Sequence, residues 1–323
     1  MSAEGRLAPT TFYREIGRNR RRSWLLIVIV VLVLGLLGGA IGYATGLGWA
    51  GVALAIVVAS VMSVGTFFAG DALVMATSGA SEIDQAKPPE RYQQFVNVAE
   101  EMRLAGGLPR PRLWVIDDSA PNAFATGRDP EHASVAVTTG LLEKLDREQL
   151  QGVIGHEMSH IGNLDIRFTL LVGVLVGSIA LLADWFLRFT FWGGGRRSND
   201  SDRGGGGAAA LIFILALVLA VVAPLIGRLV QAAVSRSRES LADATAVEFT
   251  RNPTGLARAL RTISDDAEVL EVANRATQHL YIVNPIKSFE ERAKSLWDTH
   301  PPIGERIRAL ENIAGRMGLS PGP

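Results

Sequence analysis

Four long apolar runs constrain this chain more than any other feature of its sequence. The first two, 24–45 and 48–70, contain no charged residue. At about 1.5 Å per residue, a helix over the first run reaches roughly 33 Å, enough to cross the hydrocarbon core of a bilayer. A cleavable signal peptide is the alternative, but the run is longer than a typical signal core and a second run follows it. The sequence therefore predicts a membrane hairpin over 24–70, after a short N-terminal segment 1–23.

The other two apolar runs, 168–192 and 208–230, predict a second hairpin over 166–230. Asp184 and Arg188 lie four residues apart in the third run, where they can partly neutralise each other. A Gly-rich polar loop, 193–207, joins the two runs, and its three arginines leave a re-entrant or interfacial hairpin as the alternative.

Basic residues before the first run predict the sidedness of the chain. Arg18, Arg20, Arg21 and Arg22 precede residue 24, and such clusters stay on the cytoplasmic side of a membrane. Because each hairpin returns the chain to that side, we expect the N-terminus and both long polar segments to be cytoplasmic. The expected location is the plasma (inner) membrane, with several passes.

The composition narrows the chemistry. Lys+Arg and Asp+Glu both number 32, so the chain has no net charge, which argues against a general nucleic-acid binder. The chain has no cysteine, which excludes disulfides, thiolate metal sites and cysteine nucleophiles. Any metal must be held by the 5 histidines and by carboxylates.

The polar segments 71–165 and 231–323 predict one catalytic domain in two parts. Short stretches rich in strand-forming residues at 112–116, 122–126 and 134–138 indicate a small β-sheet. Asp146 and Gln149 have the spacing of a capping box, and a helical apolar repeat follows them. The expected class is an α+β membrane protein, mainly helical, with about four transmembrane helices in two hairpins.

The capped helix carries the sequence HEMSH at 156–160. His156 and His160 are four residues apart, so they project from one helical face about 5 to 6 Å apart, which suits two imidazoles on one zinc ion. Glu157 is rotated by about 100° from His156 and is expected to act as the general base on the attacking water. The alternative is two exposed histidines beside an ordinary glutamate.

A two-histidine site needs a third protein ligand, and a downstream Glu or Asp is the expected choice. Glu239 is the candidate, and Asp243 on the same helical face is expected to accept a hydrogen bond from a ligand histidine. Glu248 is a competing ligand. A solvated helix face is the other interpretation of the Glu239 and Asp243 pattern.

Together these motifs resemble the HtpX-type membrane zinc metalloproteases, which are relatives of the CAAX prenyl-protein endopeptidases. The resemblance covers nearly the whole chain. It rests on the paired hairpins and on PNAFATG at 121–127, TTGLL at 138–142, HEMSH at 156–160, SRESLADA at 237–244, and THPP at 299–302 before Arg306 and Ile307. It implies a zincin-like (gluzincin) catalytic domain in which His156, His160 and Glu239 bind one Zn²⁺ per chain and Glu157 activates water.

Two further sites concern the substrate. The resemblance implies that Asn122, Ala123, Phe124 and Ala125 line the substrate cleft, and an edge strand there can pair with an extended substrate backbone. Asn122 is expected to bind a substrate carbonyl, although asparagine before a strand is as often turn chemistry. His300 is expected to stabilise the oxyanion, the alternative being an exposed histidine in a turn. His132 and His279 have no motif around them and are expected on the surface.

These features predict a membrane-bound zinc endopeptidase. By resemblance, its substrates are damaged or misfolded membrane proteins, so its partners are peptide or membrane-protein substrates and the lipid bilayer, without nucleic acid. Two alternatives stay open: a selective processing protease with defined, for instance prenylated, substrates, and a non-catalytic membrane scaffold with a structural zinc. Glu157 argues against the scaffold, because a structural site has no need for a base. The oligomeric state is not predicted.

Overall fold

The computed structural model describes residues 48–170, 236–266 and 302–319, together with positions 21, 25, 28, 214 and 268. Most of the predicted hairpins, the Gly-rich loop, His279 and His300 lie outside these residues. The chain divides into two compact units, one of residues 1–22, 69–170 and 231–323, the other of 23–68 and 171–230. Within the described residues, no helix combines the length and hydropathy that membrane crossing requires.

The described part of the chain is mainly helical. α1 (Gly48–Thr77) comes before the first strand, α2 (Gln93–Gly106) lies between the first and second strands, and α3 (Thr139–Lys144) and α4 (Arg147–Gly162) follow the last strand. Three later helices follow, namely α5 (Arg236–Thr250), α6 (Pro253–Asp265) and α7 (Ile303–Arg316).

A small mixed sheet is formed by β1 (Ser81–Glu82), β2 (Arg112–Ile116), β3 (Ala123–Gly127) and β4 (Ala133–Thr138), in the spatial order β1-β2-β4-β3. β2 and β4 are parallel, and the two outer pairs are antiparallel. The predicted small sheet in a mainly helical domain is confirmed, with β3 and β4 each shifted by one residue at one or both ends. β1 was not predicted, since its two residues carry no alternating pattern.

The main core lies between the sheet and the helices. β2, β3 and β4 contribute alternate side chains to it, because successive residues of a strand point to opposite faces. Buried apolar residues from α2, α4, α5, α6 and α7 complete this core. The other face of the sheet holds a smaller cluster, formed by Met75, Ile116, Ala120, Phe124 and Ala136.

Candidate metal centre

Helix α4 begins at a capping box. The side chain of Asp146 accepts a hydrogen bond from the backbone N–H of Gln149 at 2.9 Å, and the Gln149 side chain accepts one from the Asp146 N–H at 2.9 Å. These bonds satisfy two donors that a helix start leaves unpaired. The predicted helix start is confirmed, and it fixes the phase with which the HEMSH side chains leave α4.

Two glycines let neighbouring helices approach α4 closely. A Cβ atom added at Gly152 would lie 2.6 Å from the backbone nitrogen of Leu256, so the backbones of α4 and α6 are nearly in contact. At Gly155 an added Cβ would be 3.5 Å from the Cα of Ala246 on α5. The small residue Ala246 therefore lets α5 lie close against α4, and α5 brings Glu239 to the two histidines.

His156, His160 and Glu239 meet in one cluster. The Nε2 atoms of the two histidines are 3.2 Å apart, and they lie 3.5 and 3.7 Å from Glu239 Oε2 and Oε1. Ligand atoms around a tetrahedral ion with bonds of 2.0–2.1 Å are separated by about 3.3 Å. The three side chains therefore have the spacing that a bound metal ion requires.

The other ring nitrogens face carboxylates. His156 Nδ1 lies 3.0 Å from Asp243 Oδ1, and His160 Nδ1 lies 3.1 Å from Asp165 Oδ2. A carboxylate only accepts hydrogen bonds, so in the neutral form of each ring Nδ1 carries the hydrogen and Nε2 presents a lone pair. Two lone pairs that converge beside the Glu239 carboxylate need a cation between them, and this donor set fits a metal ion.

Arg306, on α7, joins the carboxylates around the histidines. Its Nη2 and Nε donate to Asp243 at 2.6 and 2.9 Å, and its Nη1 lies 3.6 Å from Glu239 Oε2. The side chain is buried, with 3% of the residue exposed. Burial opposes its charge, but Asp243, Glu239 and Glu157 outweigh that effect and raise the pKa of Arg306. A permanent positive charge thus sits inside the cluster.

The same contacts perturb the ionisation of the neighbouring groups. Burial disfavours a charged Asp243, yet Arg306 and His156 outweigh it and lower the pKa of this carboxyl to about 2. For His156, burial and Arg306 oppose protonation, but the hydrogen bonds with Asp243 and Glu239 prevail and raise its pKa to about 9. In the metal-free protein, His156 therefore carries a second proton at neutral pH, which a metal ion must displace in order to bind.

The other candidates on the helices are placed as follows. Glu157 is buried close enough to Arg306 to raise its pKa. Glu239 and Asp243 are buried, so the interpretation of their helix face as solvated is wrong. Glu248, the competing ligand, is exposed and is not part of the cluster. His132 is exposed, as expected, and its Nδ1 lies 2.6 Å from Asp129 Oδ1.

The predicted substrate segment lies in β3, at one edge of the sheet and in contact with α4. Ala123, Phe124 and Ala125 are strand residues, and Asn122 precedes them. The backbone of Asn122 exchanges hydrogen bonds with Thr138, whose hydroxyl accepts from the Asn122 N–H at 2.9 Å. This contact fixes the start of β3. His300 lies outside the described residues.

Sequence reasoning missed Asp165 and Arg306 as parts of this site. Asp165 follows a turn in which Leu164 has a φ of 59°, so the helical spacing that related the other residues does not extend to it. Arg306 belongs to a segment that was noted for its resemblance, but its partner Asp243 lies on another helix. The signal available in the sequence was the position of Arg306, which lies on the apolar face of an amphipathic helix, where an arginine is unusual.

Comparison with known proteins places the site within a family of peptidases. The model of the family described as "Peptidase family M48" matches residues 89–314. A protein named "Protease HtpX homolog" from Streptococcus thermophilus (strain CNRZ 1066) is 44% identical over 303 residues, which cover 93% of this chain and 99% of that protein. Proteins of the same name from Ligilactobacillus salivarius (strain UCC118) and Listeria monocytogenes serotype 4b (strain F2365) are 44% and 41% identical, each with 93% of this chain and 99% of the relative covered.

Proposed function

Since this chain belongs to peptidase family M48 and is therefore a metalloprotease, we propose that it is a membrane-bound zinc endopeptidase that degrades damaged or misfolded membrane proteins. The observation that carries the proposal is the convergence of two imidazole nitrogens and one carboxylate at the spacing of a tetrahedral ion, with Glu157 buried beside them.

We propose that His156, His160 and Glu239 hold one zinc ion per chain. Imidazole and carboxylate ligands suit zinc, and three protein ligands leave a further position open, as in catalytic zinc sites. A zinc ion held there supplies Lewis acidity toward the peptide carbonyl and the attacking water. Asp243 fixes the ring of His156 by accepting its Nδ1–H, and Arg306 holds Asp243 in place.

Glu157 supplies the proton transfers. It follows His156 directly, so its side chain leaves the helix about 100° from the ligand face and is free of the ligand set. Its carboxylate accepts a proton from the water that attacks the peptide carbonyl, and it then donates that proton to the leaving amine. Arg306 and Glu157 interact electrostatically, so the buried guanidinium places a positive charge near this carboxylate.

The substrate backbone is proposed to pair with the outer edge of β3, the last strand in the described sheet. An extended peptide that adds to a sheet edge is held mainly through main-chain hydrogen bonds, so many sequences are tolerated. The side chains of Ala123, Phe124 and Ala125 are buried, so it is their backbone that would line the cleft. Asn122 would bind a substrate carbonyl. The proposed role of His300 is to stabilise the oxyanion, as a preorganised donor does in other hydrolases.

The membrane location is proposed from the apolar runs and from the surface of α1. Five large apolar side chains of α1, each more than half exposed, would be costly in water; they are Val57, Val61, Val64, Phe68 and Leu73. The arginines before the first run favour a cytoplasmic N-terminus and cytoplasmic catalytic residues. A protease fixed beside the bilayer suits membrane-protein substrates.

Three substitutions of the same kind test the mechanism. Glu157→Gln should keep one zinc per chain and lose cleavage of an unfolded membrane-protein substrate, because the amide keeps the shape but accepts no proton. Glu239→Gln should lower the zinc occupancy, since a neutral amide replaces an anionic ligand. Glu248→Gln is the matched control and should change neither quantity, because Glu248 is exposed.

The outcomes separate the alternatives. Wild-type cleavage by Glu157→Gln would exclude this residue as the base. Loss of zinc in Glu248→Gln, with normal zinc content in Glu239→Gln, would identify Glu248 rather than Glu239 as the third ligand. A wild-type protein that binds zinc but cleaves no substrate would favour the scaffold, and cleavage at one fixed position in one substrate would favour a selective processing protease.

A further inference from the structure

His160 is the more accessible of the two ligand histidines. Its side chain is 16% exposed, whereas that of His156 is 1% exposed. It lies in the last turn of α4, where packing restrains an imidazole ring less than it does in the helix middle. The orientation of His160 therefore depends on a polar partner to a greater extent than that of His156.

Asp165 is that partner, and a turn of the backbone after α4 brings it to His160. After α4 ends, Leu164 adopts a φ of 59°, a conformation that residues with a Cβ rarely adopt. The N–H of Leu164 donates to Ile161 O at 3.2 Å, which closes the turn. The chain thus turns back on α4, and Asp165 Oδ2 lies 3.1 Å from His160 Nδ1.

The second oxygen of Asp165 faces a buried arginine. Arg238 Nη1 lies 3.7 Å from Asp165 Oδ1, and the guanidinium of Arg238 lies over the ring of Phe168, 4.5 Å from its centre. Both Asp165 and Arg238 are buried. A buried carboxylate and a buried guanidinium are costly to separate, because each would leave the other uncompensated.

Arg238 also immediately precedes Glu239, the proposed third ligand. The Asp165 and Arg238 pair, which we call the positioning pair, therefore joins the end of α4 to the start of α5 at the residues that carry His160 and Glu239. The same pattern occurs at His156, where Asp243 faces the ring and Arg306 holds Asp243. The Nδ1 atom of each histidine thus faces a buried carboxylate, and each of these carboxylates lies beside a buried arginine.

We propose that Asp165 and Arg238 are positioning residues that set the orientation of His160 and its alignment with Glu239. Nothing in the HExxH motif or the Glu239 and Asp243 pattern assigns them this role. The inference rests on the proposed metal site, because the quantity that the pair controls is the geometry of the metal ligands. Neither residue is proposed to touch the substrate.

The test measures metal binding rather than turnover. Zinc affinity of the purified full-length protein is measured by competition with a chromophoric chelator, and ligand geometry by the visible absorption spectrum of the cobalt(II)-substituted protein. Asp165→Asn should lower zinc affinity about 10- to 100-fold, the usual cost of losing a carboxylate behind a ligand histidine. It should also shift the cobalt bands.

Arg238→Met and Arg238→Lys test the arginine of the positioning pair. Arg238→Met should weaken zinc binding in the same direction, and Arg238→Lys should restore part of it, because the charge beside Asp165 is kept. The effects of Asp165→Asn and Arg238→Met should not add in the double variant, since both act through His160. Asp71→Asn is the control, because it breaks the ion pair of Asp71 with Arg112, 2.7 Å long, away from the histidines. It should leave affinity and spectrum unchanged.

Two results would overturn the inference. One is unchanged zinc affinity and cobalt spectrum in a folded Asp165→Asn protein. The other is a loss of thermal stability in both variants without any spectral change, which would make the pair merely structural. If Asp165→Asn does not fold, Arg238→Lys decides in the same two measurements. Failure of the proposed metal site is distinguishable, because the wild-type protein itself would then bind no metal. Failure of the proposed proteolysis would show as a wild-type protein that binds zinc but cleaves no substrate.

Discussion

Replacing Arg306 by methionine should destabilise the protein more than any exposed substitution. Methionine keeps much of the length and apolar volume of the side chain but removes the charge and its hydrogen bonds. Asp243 would lose two of them, at 2.6 and 2.9 Å, while staying buried. Glu239 and Glu157, the other carboxylates that interact with Arg306, would also stay buried without its charge. One partner of a buried ion pair would then be left without compensation.

The expected loss follows from the depth of this pair. Breaking a buried salt bridge by removal of one partner costs about 3–5 kcal/mol. The full range applies because only 3% of Arg306 is exposed, so solvent does not screen the remaining carboxylates. For a domain of this size, the melting temperature should fall by roughly 10 °C. A bound divalent cation would offset part of the excess negative charge, so the loss should be larger after chelation.

Thermal unfolding of the full-length protein, followed by tryptophan fluorescence with zinc and with excess chelator, measures both quantities. Arg306→Lys should be intermediate, because it keeps the charge without the two-pronged contact. Arg308→Met, which removes an exposed arginine from the same helix, is the matched control and should shift the melting temperature very little. A melting temperature of Arg306→Met equal to that of Arg308→Met in both conditions would refute the reasoning.

Three further predictions concern packing, pH and sidedness. Gly152→Ala should cost about 1–3 kcal/mol because its Cβ would press against the backbone of α6, whereas Gly315→Ala, which meets nothing within 4 Å, should be neutral or stabilising; equal melting temperatures would contradict this. After the metal has been removed with a chelator, the affinity of the protein for added zinc should rise about tenfold per pH unit up to about pH 9, because the proton on His156 competes with the metal below that pH. A zinc affinity that does not change with pH would contradict this. Single cysteines at the exposed positions Ser81 and Ala309 should both resist an impermeant reagent in intact cells and react after lysis; labelling of only one before lysis would place them on opposite sides.

Local signals predicted the elements that carry the site. The strand over 112–116 was predicted with its observed bounds, and the capping box placed the start of α4 correctly. Asn252 and Pro253, residue types that favour the N-cap and the first position of a helix, form the N-cap and first residue of α6. These features depend on residues close in sequence, so the sequence alone contains the information.

The contacts between distant segments were harder to predict. The sequence suggested Glu239 because a site with two histidines needs a third ligand, and chemistry can supply such an argument without coordinates. Nothing in ligand chemistry requires an arginine, so Arg306 and Arg238 were not foreseen. Their roles depend on which buried carboxylates α5 and the end of α4 bring beside them.

The distribution of the site residues along the chain has a consequence for biosynthesis. His156 and His160 leave the ribosome first, Glu239 follows later, and Arg306 emerges in α7, the last of the helices described here. A chain interrupted before α5 offers two imidazoles and neither the carboxylate ligand nor Asp243. The proposed metal site cannot assemble in it, because folding and metal binding depend on the same missing groups. Fragments from aborted translation should therefore have no proteolytic activity, and the cell is exposed to this protease only once its synthesis has passed the segment that completes the metal site.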